Sequence, residues 1–172
     1  MMPASKVHAK PGHLIRRCQQ IAVALFIEET GAAGFDITPV QYAALAAIGE
    51  NRGIEATTLS ALIALDRSTL GDVIERLVGK HLVERARQPH DRRVKRLALT
   101  REGARVVAAI EPAVERAQAR ILAPLADADR KRFMALLAQI VDLNNAHSRA
   151  PQRSAGEPAG RRAPRTRAAA RS

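Results

Sequence analysis

Aromatic residues are nearly absent from this sequence, which has no Trp, one Tyr and three Phe among 172 residues. Proteins that bind RNA or single strands stack bases on aromatic platforms, and four rings cannot supply one. Cys18 is the single cysteine, so no intramolecular disulfide can form and a reducing compartment is expected. The longest early apolar run, from Ile21 to Ile27, is too short to span a bilayer. The sequence therefore predicts a cytoplasmic protein with no membrane segment.

Common enzyme signatures are missing as well. The chain has no Gly-x-Ser-x-Gly and no phosphate-binding Gly-rich loop followed by Lys-Ser or Lys-Thr. Its five His residues, at positions 8, 13, 81, 90 and 147, lack the spacing of metal ligands. We therefore expect no enzyme activity, no metal site and no cofactor.

Positive charge is in excess, with 28 Lys and Arg against 17 Asp and Glu and a net charge of +11. This balance favours a polyanionic partner such as nucleic acid, a membrane surface or a phosphorylated ligand. The apolar periodicity stops after His147, and residues 148–172 hold seven Arg and one Glu. The composition predicts a flexible leader over residues 1–10, one domain over 11–147 and a disordered Arg-rich tail over 148–172 that helps nonspecific binding.

Hydrophobic periodicity predicts a mainly helical domain. The first helix runs from Pro11 to about Thr30, and one stripe of it carries Leu14, Cys18, Ile21 and Leu25. The second begins at the capping box Thr38-Pro-Val-Gln and ends near Gly49. Thr100 caps a long fifth helix, and Asp127 opens the sixth.

Residues 51–79 predict two short helices joined by a tight turn. The third helix spans about residues 55–64, and Asp66 caps the fourth. One face of the fourth helix is apolar and comprises Leu70, Val73, Ile74, Leu77 and Val78. The opposite face is polar and comprises Arg67, Ser68, Thr69, Asp72 and Arg76. A helix of this kind fits the major groove of double-stranded DNA, where short polar side chains reach base edges.

Two short strands follow, over about residues 82–87 and 95–99, and QPHDRRV connects them. The connection and the start of the second strand are strongly basic, with Arg92, Arg93, Lys95 and Arg96. A basic hairpin can lie along the DNA backbone and insert an Arg into the minor groove. We therefore predict a mainly α fold with a small β wing. A winged helix-turn-helix over about 37–100 lies between helical regions at about 11–35 and 101–146.

The segment LDRSTLGDVIERLVGKHLVERARQPHDRRVKRLALTREG resembles the MarR family of transcriptional regulators, and the helix order over residues 11–146 agrees. The resemblance implies an obligate homodimer that binds a palindromic operator. It also implies that the first and the last two helices, at about 11–35 and 101–146, are dimerisation helices that interleave. By position, Arg93 matches a minor-groove arginine, and Asp91 matches an acidic residue that braces the wing by pairing with an arginine. His81 replaces the usual Gly after the fourth helix, and His tolerates a left-handed backbone better than most residues.

We predict that the DNA-contacting residues lie on the fourth helix and the wing. They are Arg67, Ser68, Thr69, Asp72, Arg76, Asp91, Arg92, Arg93 and Lys95. For Ser68 and Thr69 the alternative is ordinary helix capping, and both roles can coexist. For the basic wing residues the alternative is a solvated charged hairpin.

The segment PGHLIRRCQQIAVALFIEE, with DRSTLGDVIERL, resembles the branch of the family that controls degradation of aromatic acids such as hydroxycinnamates. The resemblance implies a repressor released from DNA by a small aromatic acid or its CoA thioester. CoA phosphates would suit the excess of Arg. The predicted ligand-binding residues are His13, Arg16, Arg17 and Tyr42. A solvated basic first turn is the alternative.

Two alternative functions remain open. Some members of the family sense organic peroxides through one cysteine on the first helix, held by tyrosines from the second. Cys18 lies on the first helix, and Tyr42 is the one tyrosine available to hold it. The apolar stripe that carries Cys18, however, suits an inert packed thiol. The other alternative is a nucleoid-type protein that binds DNA without sequence preference, which the tail and the net charge favour and the capped, polar-faced fourth helix disfavours.

Overall fold

A computed structural model describes residues 7–87 and 95–154. In these ranges the elements are α1 (Pro11–Ala32), α2 (Pro39–Glu50), β1 (Ile54–Glu55), α3 (Ala56–Leu62), α4 (Arg67–Gly79), β2 (Val83–Arg87), β3 (Lys95–Leu99), α5 (Arg101–Leu122), α6 (Asp127–Leu143) and a 3-10 turn, Asn145–His147. The predicted mainly α fold with a small β wing is confirmed. Within the described ranges, every helix is too short or too polar to cross a membrane.

The helix starts follow from local capping chemistry. The Thr38 hydroxyl accepts from the Gln41 N–H while the Gln41 side chain accepts from the Thr38 N–H, which is the predicted capping box. The Thr100 hydroxyl accepts from the Gly103 N–H and caps α5. These side chains satisfy backbone donors that a helix leaves unpaired in its first turn.

The sheet has three antiparallel strands in the order β1-β3-β2, so the expectation of a two-stranded hairpin is incomplete. Ile54 lies opposite Leu97, and Val83 lies opposite Leu99. β1 is two residues long, which is too short for an alternating pattern to reveal. Because β1 takes up residues 54–55, α3 begins one residue later than predicted and ends at Leu62.

The core lies where α2, α4 and α5 meet the sheet. The predicted apolar face of α4 is turned inward: Leu70, Ile74 and Leu77 are buried. On α5, the buried apolar residues include Ile110 and Val114. Burying each such side chain contributes about 1.5–3 kcal/mol relative to leaving it exposed. This packing fixes α4 with its polar face outward.

Two helices carry apolar side chains that the single chain leaves uncovered. Of the predicted α1 stripe, Leu14, Cys18 and Ile21 are exposed, and the buried residues of α1 are Phe26 and Thr30. α6 buries none of its residues. The exposed large apolar residues of the two helices are Leu14, Ile15, Ile21, Ile27, Met134, Leu136, Ile140, Val141 and Leu143. The stripe of α1 therefore does not face the core of its own chain.

Ion pairs fix α1 along α5. Arg116 Nε lies 2.9 Å from Glu29 Oε2, and Arg120 Nη1 lies 2.8 Å from Glu29 Oε1 and 2.9 Å from Glu28 Oε1. Arg130 closes the same, C-terminal end of α5 by donating from Nε to the carbonyl oxygens of Leu122 and Leu125, at 3.1 and 2.8 Å. It satisfies carbonyls that the end of α5 leaves unpaired.

Residues 145–153 run back onto α3, and we call this segment the C-terminal strap. The Asn145 amide donates to the Gln152 carbonyl and accepts from the Gln152 N–H, both at 2.8 Å. Gln152 Nε2 donates to the Leu62 carbonyl at 3.1 Å, and the Arg153 N–H donates to the Ala61 carbonyl at 3.0 Å. Residues 148–154 belong by composition to the predicted disordered tail, yet they follow this defined course. Residues 155–172 lie outside the described residues.

Candidate nucleic-acid interface

α4 presents a polar surface to solvent. The predicted groove-facing residues Arg67, Ser68, Thr69, Asp72 and Arg76 are all exposed. Gly71 lies among them, and a Cβ built there would meet no atom of the described chain within 4 Å. Because the opposite face is packed against the core, this polar surface is free to enter a DNA groove.

A cluster of hydroxyls and one carboxylate forms the N-terminus of α4. Ser68 Oγ donates to Asp66 Oδ1 at 2.6 Å, Thr69 Oγ1 donates to Asp66 Oδ2 at 2.7 Å, and the Thr69 N–H donates to Oδ1 at 3.0 Å. The Ser68 hydroxyl first, then Thr69 and more weakly Arg149, hold the pKa of Asp66 well below its usual range. Asp66 is the predicted cap, and both hydroxyls also support it.

Left-handed backbone closes the two helices that flank the turn. Ala64, after α3, has φ 52°, and His81, after α4, has φ 58°. The Leu65 N–H donates to the Ser60 carbonyl, and the Leu82 N–H donates to the Leu77 carbonyl. This hydrogen bonding ends a helix on a residue with positive φ. The expectation that His81 takes the left-handed conformation without changing the fold is confirmed.

The base of the wing is coupled to α4 and α5. Arg85 Nη2 on β2 lies 2.7 Å from Glu75 Oε1 on α4. The Thr100 hydroxyl donates to the His81 carbonyl at 2.7 Å. At Gly103, a Cβ would lie 2.0 Å from the Leu82 carbonyl oxygen, so only glycine fits. The sequence places Gly103 at the end of the LALTREG motif. It does not reveal the contact with Leu82, because the two residues are distant in sequence.

The predicted wing tip cannot be placed on this interface. Asp91, Arg92 and Arg93 lie outside the described residues, as does the predicted pairing of Asp91 with an arginine. Lys95 is the first residue of β3, opposite Arg87. The roles of these residues therefore stay predictions.

Tyr42 lies in an acidic environment. Its hydroxyl donates to Glu111 Oε2 at 2.6 Å, and its ring centroid is 5.9 Å from that of Phe26. Burial, the Glu111 hydrogen bond and the carboxylates of Glu111, Glu115 and Glu50 raise the pKa of Tyr42 to about 12. These three carboxylates disfavour the binding of a further anion there.

The other predicted ligand residues lie at the start of α1. Arg16 Nη1 donates to Gln20 Oε1 at 2.9 Å, and the ring centroid of His13 lies 5.1 Å from that of His8. Burial first, and then nearby cations including Arg16, lower the pKa of His13. Arg16 precedes Phe26 by ten residues, or about 15 Å of helix. The basic residues therefore lie about three turns of α1 away from the residue that the Tyr42 ring contacts.

Cys18 is a free, exposed thiol in the single chain, so its predicted packing is not found there. The hydroxyl of Tyr42, the one tyrosine available to hold a reactive cysteine, is hydrogen-bonded to Glu111. The redox interpretation gains no contact from this arrangement.

An open cavity of about 450 Å³ lies between the end of α1 and the loop that leads to α2. Its lining includes Ile27, Thr30, Phe35 and Ile37 and none of the predicted ligand residues. Sequence reasoning missed it because the loop residues carry no motif.

The capped helix with an exposed polar face, the preceding short helix and the adjoining β wing define a winged helix-turn-helix DNA-binding protein. The family model described as the MarR family matches residues 37–95. The chain is 30% identical over 107 residues to the transcriptional regulator HosA of Escherichia coli O111:H-. The aligned region covers 62% of this chain and 79% of that protein.

Solved structures agree over most of the chain. The PcaV transcriptional regulator of Streptomyces coelicolor, in complex with its natural ligand, has a TM-score of 0.72 and 34% identity, covering 82% of this chain and 98% of that one. BpsR of Bordetella bronchiseptica, whose DNA binding is regulated by 6-hydroxynicotinic acid, has a TM-score of 0.72 and 28% identity, covering 78% and 95%. The chain belongs to the MarR family and is a DNA-binding transcriptional regulator rather than an enzyme.

Proposed function

We propose that this protein is a homodimeric repressor that binds a palindromic operator and leaves it when a small aromatic acid or its CoA thioester binds. The exposed polar surface of α4, held on a packed winged domain, carries the DNA-binding part of the proposal. The effector class is supported by similarity to BpsR, which responds to an aromatic acid, and to PcaV, which has a natural ligand.

The uncovered apolar faces of α1 and α6 support the proposed dimer. Leu136, Ile140 and Val141 on α6 are each about half exposed, at 50–51%, and Ile15 and Ile21 on α1 are similar, at 52% and 51%. Apolar patches of this kind on a soluble chain mark an interaction surface. A two-fold dimer through α1 and α6 uses the same patch of both protomers. It also lets two copies of α4 enter successive major grooves, about 34 Å apart.

The chemistry at the start of α4 suggests how the helix contacts bases. Because the hydroxyl hydrogens of Ser68 and Thr69 are engaged with Asp66, the two oxygens offer lone pairs outward. Those lone pairs suit the amino groups of cytosine or adenine in the major groove. Arg67 and Arg76 supply donors to phosphate or guanine.

Substituting Arg76 tests this interface. Arg76→Ala should weaken operator binding by about 1–3 kcal/mol, with a titration of labelled operator duplex as the measurement. Arg105→Ala is the matched control, since Arg105 is an exposed arginine of α5 paired with Glu102 in its own helix. Equal losses in the two variants would mean that α4 contributes only net charge.

The position of the acidic groups constrains the effector site. Because carboxylates surround Tyr42, we place the anionic end of the effector at His13, Arg16 and Arg17 and its ring towards Tyr42. Within one chain, the effector and the Arg16 or Arg17 side chain together would have to bridge about 15 Å of helix. A CoA thioester is long enough to do so, and a simple aromatic acid would also reach if the basic residues and Tyr42 came from different protomers.

Calorimetry of the free dimer with hydroxycinnamates and their CoA thioesters tests the effector. Arg16→Ala and Arg17→Ala should weaken binding, and Arg105→Ala should not. A ligand that releases DNA must bind the DNA-bound dimer more weakly than the free one, so added operator should lower its affinity. No heat with either ligand class, together with peroxide-dependent DNA release that is lost in Cys18→Ser, would favour the redox alternative.

A further inference from the structure

We infer that the C-terminal strap is a second DNA-contacting element. It holds Arg149 beside the N-terminus of α4, against the phosphate backbone that flanks each half-site. The inference rests on the proposed DNA-binding function and adds a surface outside the helix-turn-helix and the wing.

Anchoring of the strap is built from neutral hydrogen bonds to α3. The Arg153 N–H and the Gln152 amide donate to the carbonyls of Ala61 and Leu62, the last two residues of α3. The end of a helix leaves such carbonyls without helical partners. Asn145 closes the strap on itself through both polar atoms of its side chain. These contacts fix where the chain passes.

The anchor places positive charge next to the DNA-facing end of α4. Leu62, to which the strap is hydrogen-bonded, precedes Asp66, the cap of α4, by four residues. Arg149 is exposed, and its charge is close enough to act on the Asp66 carboxylate. A helix N-terminus that enters a groove lies close to phosphates, and a guanidinium beside it adds to the same field.

The sequence that follows has the composition of a phosphate-binding segment. Beyond Ser154 it carries five Arg and one Glu. An anchored origin raises the effective concentration of these arginines at the DNA beside the half-site. Capping of α3 alone would explain the anchor but would give the strap no influence on DNA affinity beyond its effect on folding.

Full-length variants distinguish the two roles. Asn145→Ala removes the closure of the strap and keeps every charge of the chain. Asn144→Ala is the matched control, because the Asn144 amide donates to Ile140 of α6 and takes no part in the strap. Arg149→Gln keeps the strap and removes one charge. Each is titrated against two duplexes, one limited to the operator and one with an added helical turn on each side, over a series of salt concentrations.

We expect Asn145→Ala to bind the extended duplex about threefold to tenfold more weakly and the short duplex nearly as wild type. Arg149→Gln should lower the salt slope on the extended duplex by about one. Asn144→Ala should match wild type on both. Unchanged affinity and salt slope for both Asn145→Ala and Arg149→Gln would overturn the strap's role in DNA binding while leaving the proposed function intact. A wild-type protein that binds neither duplex would overturn the proposed function itself.

Discussion

Two glycines separate what the fold requires from what DNA binding requires. Gly103 lies against the Leu82 backbone, where a Cβ would approach the carbonyl oxygen to 2.0 Å. Gly71 lies in the exposed face of α4, and a Cβ there would meet nothing within 4 Å. The fold therefore tolerates a larger residue at position 71 and not at position 103.

Alanine at the two positions should change stability in opposite directions. Gly103→Ala should lower the free energy of unfolding by about 3 kcal/mol or more, because backbone must move. Gly71→Ala should raise it by about 1 kcal/mol through helix propensity, yet weaken DNA binding if the backbone approaches the groove closely. Denaturant unfolding measures the first effect and duplex titration the second. A stable Gly103→Ala protein would contradict the packing at the wing base.

Titration of the single tyrosine tests the acidic environment of Tyr42 directly. The pKa of Tyr42 is raised to about 12, so the protonated phenol is favoured in the folded protein. This contribution to stability is full below the unfolded pKa of about 10 and is lost as pH rises through about 12. With no Trp in the chain, phenolate absorbance reports Tyr42 alone. Glu111→Gln should lower the midpoint, and a wild-type midpoint near that of free tyrosine would contradict the Glu111 contact.

At the scale of the element, sequence patterns predicted which faces are apolar but not what covers them. The caps at Thr38, Asp66 and Thr100 were predictable because capping is local chemistry. β1 was missed because two residues cannot show a period, and it forms only through β3. α6 has the periodicity of a core helix, yet no residue of it is buried in the chain.

A charge placed on the uncovered face of α6 tests the proposed dimer. Ile140→Lys should halve the molar mass measured by light scattering, because a lysine there would be buried without a partner in the interface. Gln139→Lys, on the adjacent exposed position, is the control and should remain dimeric. A wild-type protein that is monomeric at micromolar concentration would contradict the proposed two-fold arrangement of two α4 helices.

At the scale of the whole molecule, composition predicted where positive charge accumulates but not its anchor. The strap depends on hydrogen bonds that join Asn145 to Gln152 and Gln152 to the end of α3. No periodicity in the sequence predicts these pairings. The effector site was not predictable in full for a different reason. Its basic residues lie on α1 and Tyr42 lies on the neighbouring α2, as the sequence predicts. The rise of α1, however, separates the basic residues from Phe26, the residue that Tyr42 contacts.

Removing the C-terminal residues should leave the regulator's preference intact. A chain ending at His147 should still dimerise through α1 and α6 and discriminate operator from random duplex. It should lose nonspecific affinity and salt dependence, because the seven arginines of residues 148–172 contribute mainly counterion release. Competition titrations with random duplex measure both quantities. Loss of discrimination in a folded, dimeric truncated protein would make the C-terminal segment a specific element instead.

Selection of bound sequences from a pool of random duplexes tests sequence-specific recognition by a two-fold dimer most directly. Two copies of α4 related by a two-fold axis should enrich an inverted repeat whose half-sites lie about one helical turn, or 10 base pairs, apart. Arg76→Ala should reduce that enrichment and Arg105→Ala should not. Binding without any enriched sequence, equal for every duplex at a given salt concentration, would contradict the regulator and support the nucleoid-type alternative.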